Sequence, residues 1–316
     1  MNRTNKKVKM MIVGTIILSM VAAANFYSFA QQPQQGQQQP RAPRPPVVPL
    51  TERILKSYLE LPEEQRKAEN KRFLEMYDGL RVADVQDGMD WYGYHHYGAV
   101  DPAVRPMFRT YAYGIARTTR YLPYVGPAPL ERGEEYNRWQ GMYYSQICTY
   151  PWLNEIEEGD FVAIDLSGVD AGLMGSENTL RCLMRGVRGF VINGGGMRDT
   201  DEAIMQKIPT WNFFLSKAMD QARIQFEAKD IPVAIGGVTI FPGDIIVADN
   251  DGVIVVPRAV AEEVGKQAHR MQVDDMATRK RLYEQLGWPF DGSVEDDRAA
   301  REALFKKLGW EDMIKR

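Results

Sequence analysis

Residues 51–78 set Leu, Ile and Tyr among Glu, Lys and Arg at helical spacing, and the pattern restarts at Pro62-Glu63-Glu64. Proline fits the first turn of a helix and acids favour its N-terminus, so two surface helices are expected there. A third, short helix is expected over residues 82–91, ahead of an aromatic and histidine cluster at 92–97. His95 and His96 are adjacent and point apart on any regular element, which favours loop or interface packing over a shared metal. From Tyr111 to Tyr121 the chain is aromatic and β-branched with no helical period, the mark of a strand. Residues 161–166 (FVAIDL) follow a Glu158-Gly159-Asp160 turn and read as a buried strand; 179–186 reads as a helix and 189–192 (GFVI) as another buried strand. Strand, helix and strand in that order suggest a parallel crossover unit. Residues 231–235 and 245–257 read as further strands, the second folded back at Asp249-Asn250-Asp251-Gly252, a strong hairpin signal. Beyond Pro257 the pattern is helical to the end, and LYEQLGW (282–288) is echoed by LFKKLGW (304–310), each closing at glycine. Two copies do not make a solenoid, and a packing appendage at a subunit contact is expected instead.

The amino terminus carries a different pattern. Arg3 to Lys9 form a basic region, residues 10–24 are apolar, and Ser28-Phe29-Ala30 offers small residues before Gln31. This is the plan of a secretory signal peptide. The apolar run is shorter than the roughly 20 residues that span a bilayer, so cleavage is favoured over an uncleaved anchor. Membrane contact is then expected only through the export signal, and the mature chain is expected to be secreted or periplasmic. Neither cysteine, 148 or 182, stands near the cleavage point to accept a lipid. Residues 31–49, rich in Gln and Pro, should form an extended, solvated spacer. The expected plan is a signal at 1–30, a linker at 31–49, an α/β domain at 50–265 and a helical appendage at 266–316.

With 44% apolar and 26% charged residues, the chain has the balance of a globular protein with a real core. The formal net charge of −3 becomes −7 once the four cations of residues 1–30 are removed, which argues against a polyanion-binding surface and a nucleic-acid partner. Cys148 and Cys182 could pair in an oxidising compartment, but Cys182 lies in an apolar helical stretch that equally suits a free buried thiol.

Candidate chemistry concentrates in residues 175–202, GSENTLRCLMRGVRGFVINGGGMRDTDE. A buried strand runs into Gly194-Gly195-Gly196 and then presents Arg198 and Asp199 side by side. Consecutive glycines allow close backbone approach, and their amides could cradle an anionic oxygen. A carboxylate beside a guanidinium is held ionised, as a hard divalent cation requires of its ligand. The competing structural reading is a surface salt bridge at a helix start, with Asp199 as its cap. A dinucleotide site does not fit, because the glycines are contiguous and Asp199 stands where the fingerprint needs its third glycine. Residues 175–202 contain no lysine, so a Schiff base has no local candidate.

Residues 82–88 (VADVQDG), 100–106 (VDPAVRP), Gly159-Asp160, Arg198-Asp199 and 236–257 (GGVTIFPGDIIVADNDGVIVVP) occur in the order typical of RraA-like proteins, a family that the chain resembles over roughly residues 75–265. That family includes the divalent-metal-dependent 4-hydroxy-4-methyl-2-oxoglutarate aldolases. The resemblance implies an α/β fold, a three-layer β/β/α sandwich of the swivelling-domain type, here with extra N- and C-terminal helices. It also implies a homotrimer or homohexamer with sites between protomers. In that scheme Asp199 holds Mg²⁺ or Mn²⁺, Arg198 binds the 2-keto acid and stabilises the pyruvate enolate, and Glu177 positions the metal's waters. The amides of Gly194, Gly195 and Gly196 line the pocket. The family's mark is an acid, twenty intervening positions, then Arg-Asp, which Glu177 satisfies by count; aligning on Gly186 puts Ser176 there instead. The implied function is a metal-dependent lyase acting on a 4-hydroxy-2-oxo acid or an oxaloacetate-like acid. The alternative is an exported, non-catalytic 2-keto-acid binding or regulatory protein, since some relatives are named for inhibiting an intracellular ribonuclease. Export argues against such a cytoplasmic partner. Residues 50–75, an aromatic loop at 121–150 and the helical tail are expected to reshape the pocket or the assembly.

Overall fold

The computed structural model describes residues 50–127 and 133–314; the signal and spacer expected at 1–49 lie outside the described residues. The chain opens with α1 (Leu50–Leu59) and α2 (Glu63–Met76), with Pro62 immediately before α2 and Glu63 and Glu64 in its first turn. Helix α3 (Val82–Trp91) follows, its start fixed by the Asp84 carboxylate, which accepts the Arg81 amide at 3.0 Å. His95 and His96 fall in the exposed turn after it, and His95 Nδ1 lies 3.4 Å from the Asp90 carboxylate.

The strands are β1 (Arg105–Pro106), β2 (Ala112–Pro123), β3 (Asp160–Asp165), β4 (Gly189–Asn193), β5 (Thr210–Asn212), β6 (Ile224–Lys229), β7 (Val233–Ile235), β8 (Val238–Ile240), β9 (Ile245–Ala248) and β10 (Val253–Val256). The main sheet runs β1-β5-β4-β3-β2-β9-β10. Strands β3 and β4 are parallel and joined through α5 (Ser176–Leu183), the crossover that the sequence predicts. Strands β9 and β10 form the expected antiparallel hairpin around residues 249–252. The long β2 shares one edge between two partners: residues 112–115 pair with β9 and residues 119–123 with β6, with a register shift between Arg120 and Tyr121. Strand β6 is not apparent in the sequence, because its IQFEAK lies on the sheet margin and only Ile224 is fully buried.

Side-chain alternation assigns the layers. Phe161, Ala163 and Val191 point to one face, where they pack with Val233, Ile235, Val238 and Ile240 of the β7–β8 hairpin. Val162, Ile164, Phe190 and Ile192 point to the other, where Cys182 of α5 and Ala203 of α6 (Thr200–Met205) cover them. Hairpin, sheet and helices form the β/β/α sandwich with extra helices at both ends.

Residues 134–147, part of the aromatic loop expected at 121–150, are helical: α4 (Glu134–Met142) runs into a π-helical turn (Tyr143–Ile147), and a 3₁₀ turn follows (Pro151–Glu155). Helix propensity here is weak, and tertiary aromatic packing supplies the order, with Trp139 stacked on Tyr143 at 5.2 Å. Both cysteines are buried free thiols, so the pairing alternative is not realised. Burial pushes the Cys182 thiol up to about 12. Among the described residues no helix is long and apolar enough to cross a membrane.

At the C-terminus, α7 (Ala261–Leu286) runs unbroken through residues 265 and 266, followed by α8 (Arg298–Leu308) and α9 (Glu311–Ile314). Gly287 and Gly309 close α7 and α8 in the left-handed conformation, as their sequence positions predict. Val264 and Ala268 of α7 share a core with Met76, Val85 and Met89, and Phe305, Leu308 and Trp310 seal it. His269 is buried in this region, with Nε2 2.8 Å from the Met76 carbonyl and the ring edge-on to Phe305. Burial lowers its pKa below the usual 6.5. The native state therefore holds His269 neutral while the unfolded chain protonates it below pH 6.5, so stability is lost as pH falls through that value. In urea titrations between pH 7.5 and 5, the stability of the wild type relative to His269→Gln is expected to shrink by at most about 1.4 kcal/mol per pH unit. A pH-independent difference would contradict this.

Candidate active site

The loop after β4 is tied to the segment before α5. Met174 donates its amide to the Gly196 carbonyl at 2.8 Å, and Arg198 returns its own to the Met174 carbonyl at 3.1 Å. This short ladder brings Arg198 and Asp199 to the start of α5, where they share the wall of a cleft of about 390 Å³ with Gly172, Gly175, Glu177 and Asp220.

Asp199 precedes α6 but does not cap it with its side chain. Its Oδ2 instead accepts the Ser176 amide at 3.1 Å, at the N-terminus of α5, with the Ser176 hydroxyl 3.5 Å away. Negative charge is favourably placed near a helix N-terminus. The other oxygen, Oδ1, lies 3.8 Å from Arg198 Nε. Asp199 has a φ of 57° and a ψ of 48°, left-handed geometry that Asp tolerates better than most residues at a cost of order 1 kcal/mol. The surface-cap reading is thus half right: Asp199 is a cap, but of the neighbouring helix, and its second oxygen faces the cleft arginine.

The glycines that make this possible are not the expected ones. A Cβ on Gly175 would stand 2.6 Å from Asp199 Oδ2, and one on Gly172 would stand 2.6 Å from Arg198 Cδ. Gly194, Gly195 and Gly196 are buried and are not among the residues lining the cleft. Added Cβ atoms there would meet Val169, Phe214 and Ile192, and the Gly195 amide is already bonded to the Val169 carbonyl at 3.2 Å. The triplet serves close packing behind the site. Contiguous glycines were the visible signal; the clearance positions show only once 172–175 is seen laddered against 196–198.

Glu177 lines the cleft, but its side chain is 78% exposed and its carboxylate pairs with Arg181 at 2.5 Å, an i,i+4 pair along α5. Ser176, the other candidate for the acidic position, is the residue in contact with Asp199. The aromatic segment expected to reshape the pocket or the assembly reaches the cleft: Tyr144 and Tyr150 line it, both hydrogen-bonded to the buried Asp220, which the sequence does not single out.

The Aldolase/RraA model of the RraA-like family matches residues 82–255, more than half of the chain. The chain belongs to the RraA-like family. A Halalkalibacterium halodurans protein named "Putative 4-hydroxy-4-methyl-2-oxoglutarate aldolase" is 32% identical over 144 residues, 42% of this chain and 63% of that protein. The chain thus spans less than two thirds of that curated relative's length. Among solved structures, a Pseudomonas syringae pv. tomato protein superposes with a TM-score of 0.54 at 25% identity, covering 71% of this chain and 98% of the other. RraAS2 of Streptomyces coelicolor, described as an unusual member of the RNase ES inhibitor RraA family, shares the fold at 23% identity and a TM-score of 0.52, over 66% of this chain and 95% of its own.

Alanine at Gly175 keeps an allowed backbone, since φ is −91°, but forces the Asp199 carboxylate aside. A displacement of about 1 Å at a catalytic group can cost about 100-fold. On the lyase reading proposed below, Gly175→Ala is expected to lower turnover by that order and to cost no more than the roughly 1 kcal/mol of the Ser176 amide's lost acceptor, which paired activity and melting measurements check.

Proposed function

We propose that this RraA-like protein is a divalent-metal-dependent carbon–carbon lyase that releases pyruvate from a 4-hydroxy-2-oxo acid, or decarboxylates an oxaloacetate-like acid, through a pyruvate enolate. The observation that carries the reading is the opening of the Arg198 guanidinium and the Asp199 carboxylate onto one cleft, each given room by a glycine.

The donor set suits a hard ion. Among the described residues no group of three or more His, Cys, Asp or Glu side chains could hold a metal. Mg²⁺, however, commonly keeps several waters and takes only one or two carboxylates together with substrate oxygens. Asp199 fits that role, with Oδ2 fixed by Ser176 and its side chain 38% exposed. When bound, Mg²⁺ or Mn²⁺ supplies a Lewis acid that draws electrons from the keto oxygen. Arg198 binds the substrate carboxylate or keto oxygen and offers fixed positive charge where the enolate develops. Ser176 holds Asp199 in place. Glu177, tied to Arg181, stands at the rim and can order water there.

A homotrimer or homohexamer is part of the reading, supported by exposed apolar side chains on elements around the cleft: Met184 is 87% exposed and Met205 74%, with Phe214 and Leu215 also open. Light scattering of a monomer would remove that part. Export to the periplasm or beyond rests on residues 1–30 alone, and a mature mass beginning at Gln31 would support it.

The direct assay is a panel of 2-keto acids with and without Mg²⁺ or Mn²⁺, coupled to pyruvate detection. Metal-dependent pyruvate release is expected from a 4-carboxy-4-hydroxy-2-oxo acid or from oxaloacetate. Calorimetric binding of these acids with no turnover would favour the non-catalytic binder instead.

A further inference from the structure

The cleft that Arg198 and Asp199 line is also walled by a unit that neither the motif nor the proposed metal site uses. Asp220 is 4% exposed. Its Oδ1 accepts the Tyr144 hydroxyl at 2.8 Å; its Oδ2 accepts the Tyr150 hydroxyl at 2.7 Å, and the Cys148 thiol lies 3.4 Å from the same oxygen. Tyr143 donates to the Asp220 main-chain carbonyl at 2.6 Å. Four side chains from residues 143–150 thus converge on one aspartate, and the π-helical turn at Tyr143–Ile147 is what aims the first two together. Such turns recur at functional sites. The segment also abuts the Arg198 wall, because Gly172, over which the Arg198 side chain lies, donates its amide to the Ala218 carbonyl two residues before Asp220.

We infer that Tyr144 is the acid–base residue for the substrate's C4 hydroxyl, with Asp220 as the proton acceptor behind it and Tyr150 as a positioning residue. The inference rests on the lyase reading and deepens it. Both phenols give their protons to Asp220, so their oxygens offer lone pairs to a ligand in the cleft. Both rings are half-buried, but Tyr150 is held between Tyr121 and Trp152, whereas among the described aromatic rings Tyr144 packs against Tyr143 alone. Burial and the Asp220 charge raise the pKa of each phenol, which keeps the phenolic proton in place until it is passed on. In the retro-aldol step the C4 hydroxyl proton moves to the Tyr144 oxygen as the Tyr144 proton moves to Asp220 Oδ1. The O–H pair becomes the C4 carbonyl π bond, and the C3–C4 pair becomes the C2–C3 enolate. The enolate then takes a proton at C3 from water in the cleft, as it does in either reaction, and Asp220 returns its proton through Tyr144 to water, which yields pyruvate and balances the reaction.

Decarboxylation of oxaloacetate passes through the same enolate but has no hydroxyl proton to remove, so the two reactions separate this role from the rest of the site. In the full mature chain with Mg²⁺, Tyr144→Phe is expected to lower the ratio of the retro-aldol to the decarboxylation rate by about 30-fold or more, within the range for a lost general base. Tyr150→Phe should move the ratio the same way and by less. Thermal melting of both variants shows whether they fold. An unchanged ratio in folded Tyr144→Phe, whether both rates hold or fall together, overturns the role of Tyr144 and leaves the lyase reading standing. A wild type that turns over neither acid removes both.

Discussion

Asp199→Ala is expected to lower metal-dependent pyruvate release by about a thousandfold, because a Lewis acid supplies several kcal/mol and each 1.36 kcal/mol is a factor of ten in rate. The same change removes the acceptor for the Ser176 amide at the start of α5, so stability should fall as well, by about 1 kcal/mol for a lost helix cap. Asp199→Asn separates the two effects. Its amide oxygen can still accept from Ser176, yet it brings no charge for a cation. Activity should therefore fall nearly as far as in the alanine variant while the denaturation midpoint stays close to that of the wild type. Equal activity in wild type and Asp199→Asn would deny the carboxylate its role.

Arg198→Ala is expected to cost about 100- to 1,000-fold in kcat/KM, the scale seen when a donor aimed at a developing oxyanion is removed. Arg198→Lys should recover only part of this, since an ammonium restores charge but not the planar fork that meets a carboxylate or enolate through two hydrogen bonds. The Arg198 side chain lies over Gly172 and is 31% exposed, so its loss should leave the core undisturbed. Steady-state kinetics with each acid tests the point; a loss under threefold in the alanine variant would place the reacting oxygens elsewhere.

Much of the fold was legible in the sequence. The runs FVAIDL and GFVI are apolar on both faces because the hairpin covers one side and α5 and α6 the other, and such strands announce themselves without alternation. The terminal helices were legible from their glycine stops. Strand β6 was not, since a marginal strand carries little apolar signal, and neither was α4, which is held by aromatic packing rather than propensity. In the site, Arg198-Asp199 stood out as adjacent charges after a buried strand, and Glu177–Arg181 is visible as an i,i+4 pair. The clearance at Gly172 and Gly175 was hidden, because it depends on the ladder between Met174 and residues 196–198, which spacing along the chain does not reveal. The Tyr144–Asp220–Tyr150 wall was hidden for the same reason: its members are joined only by the fold.

The central claim is that Asp199 and Arg198 together hold a divalent cation and the enolate formed beside it. Oxalate, a planar dianion with the shape of the pyruvate enolate, and Mn²⁺, which electron paramagnetic resonance reads directly, test it without turnover. Titration of the wild type should show one Mn²⁺ per protomer, bound more tightly when oxalate is present, with Mn²⁺ binding lost in Asp199→Ala and the oxalate enhancement lost in Arg198→Ala. Mn²⁺ binding that is the same in all three proteins, with or without oxalate, would contradict it.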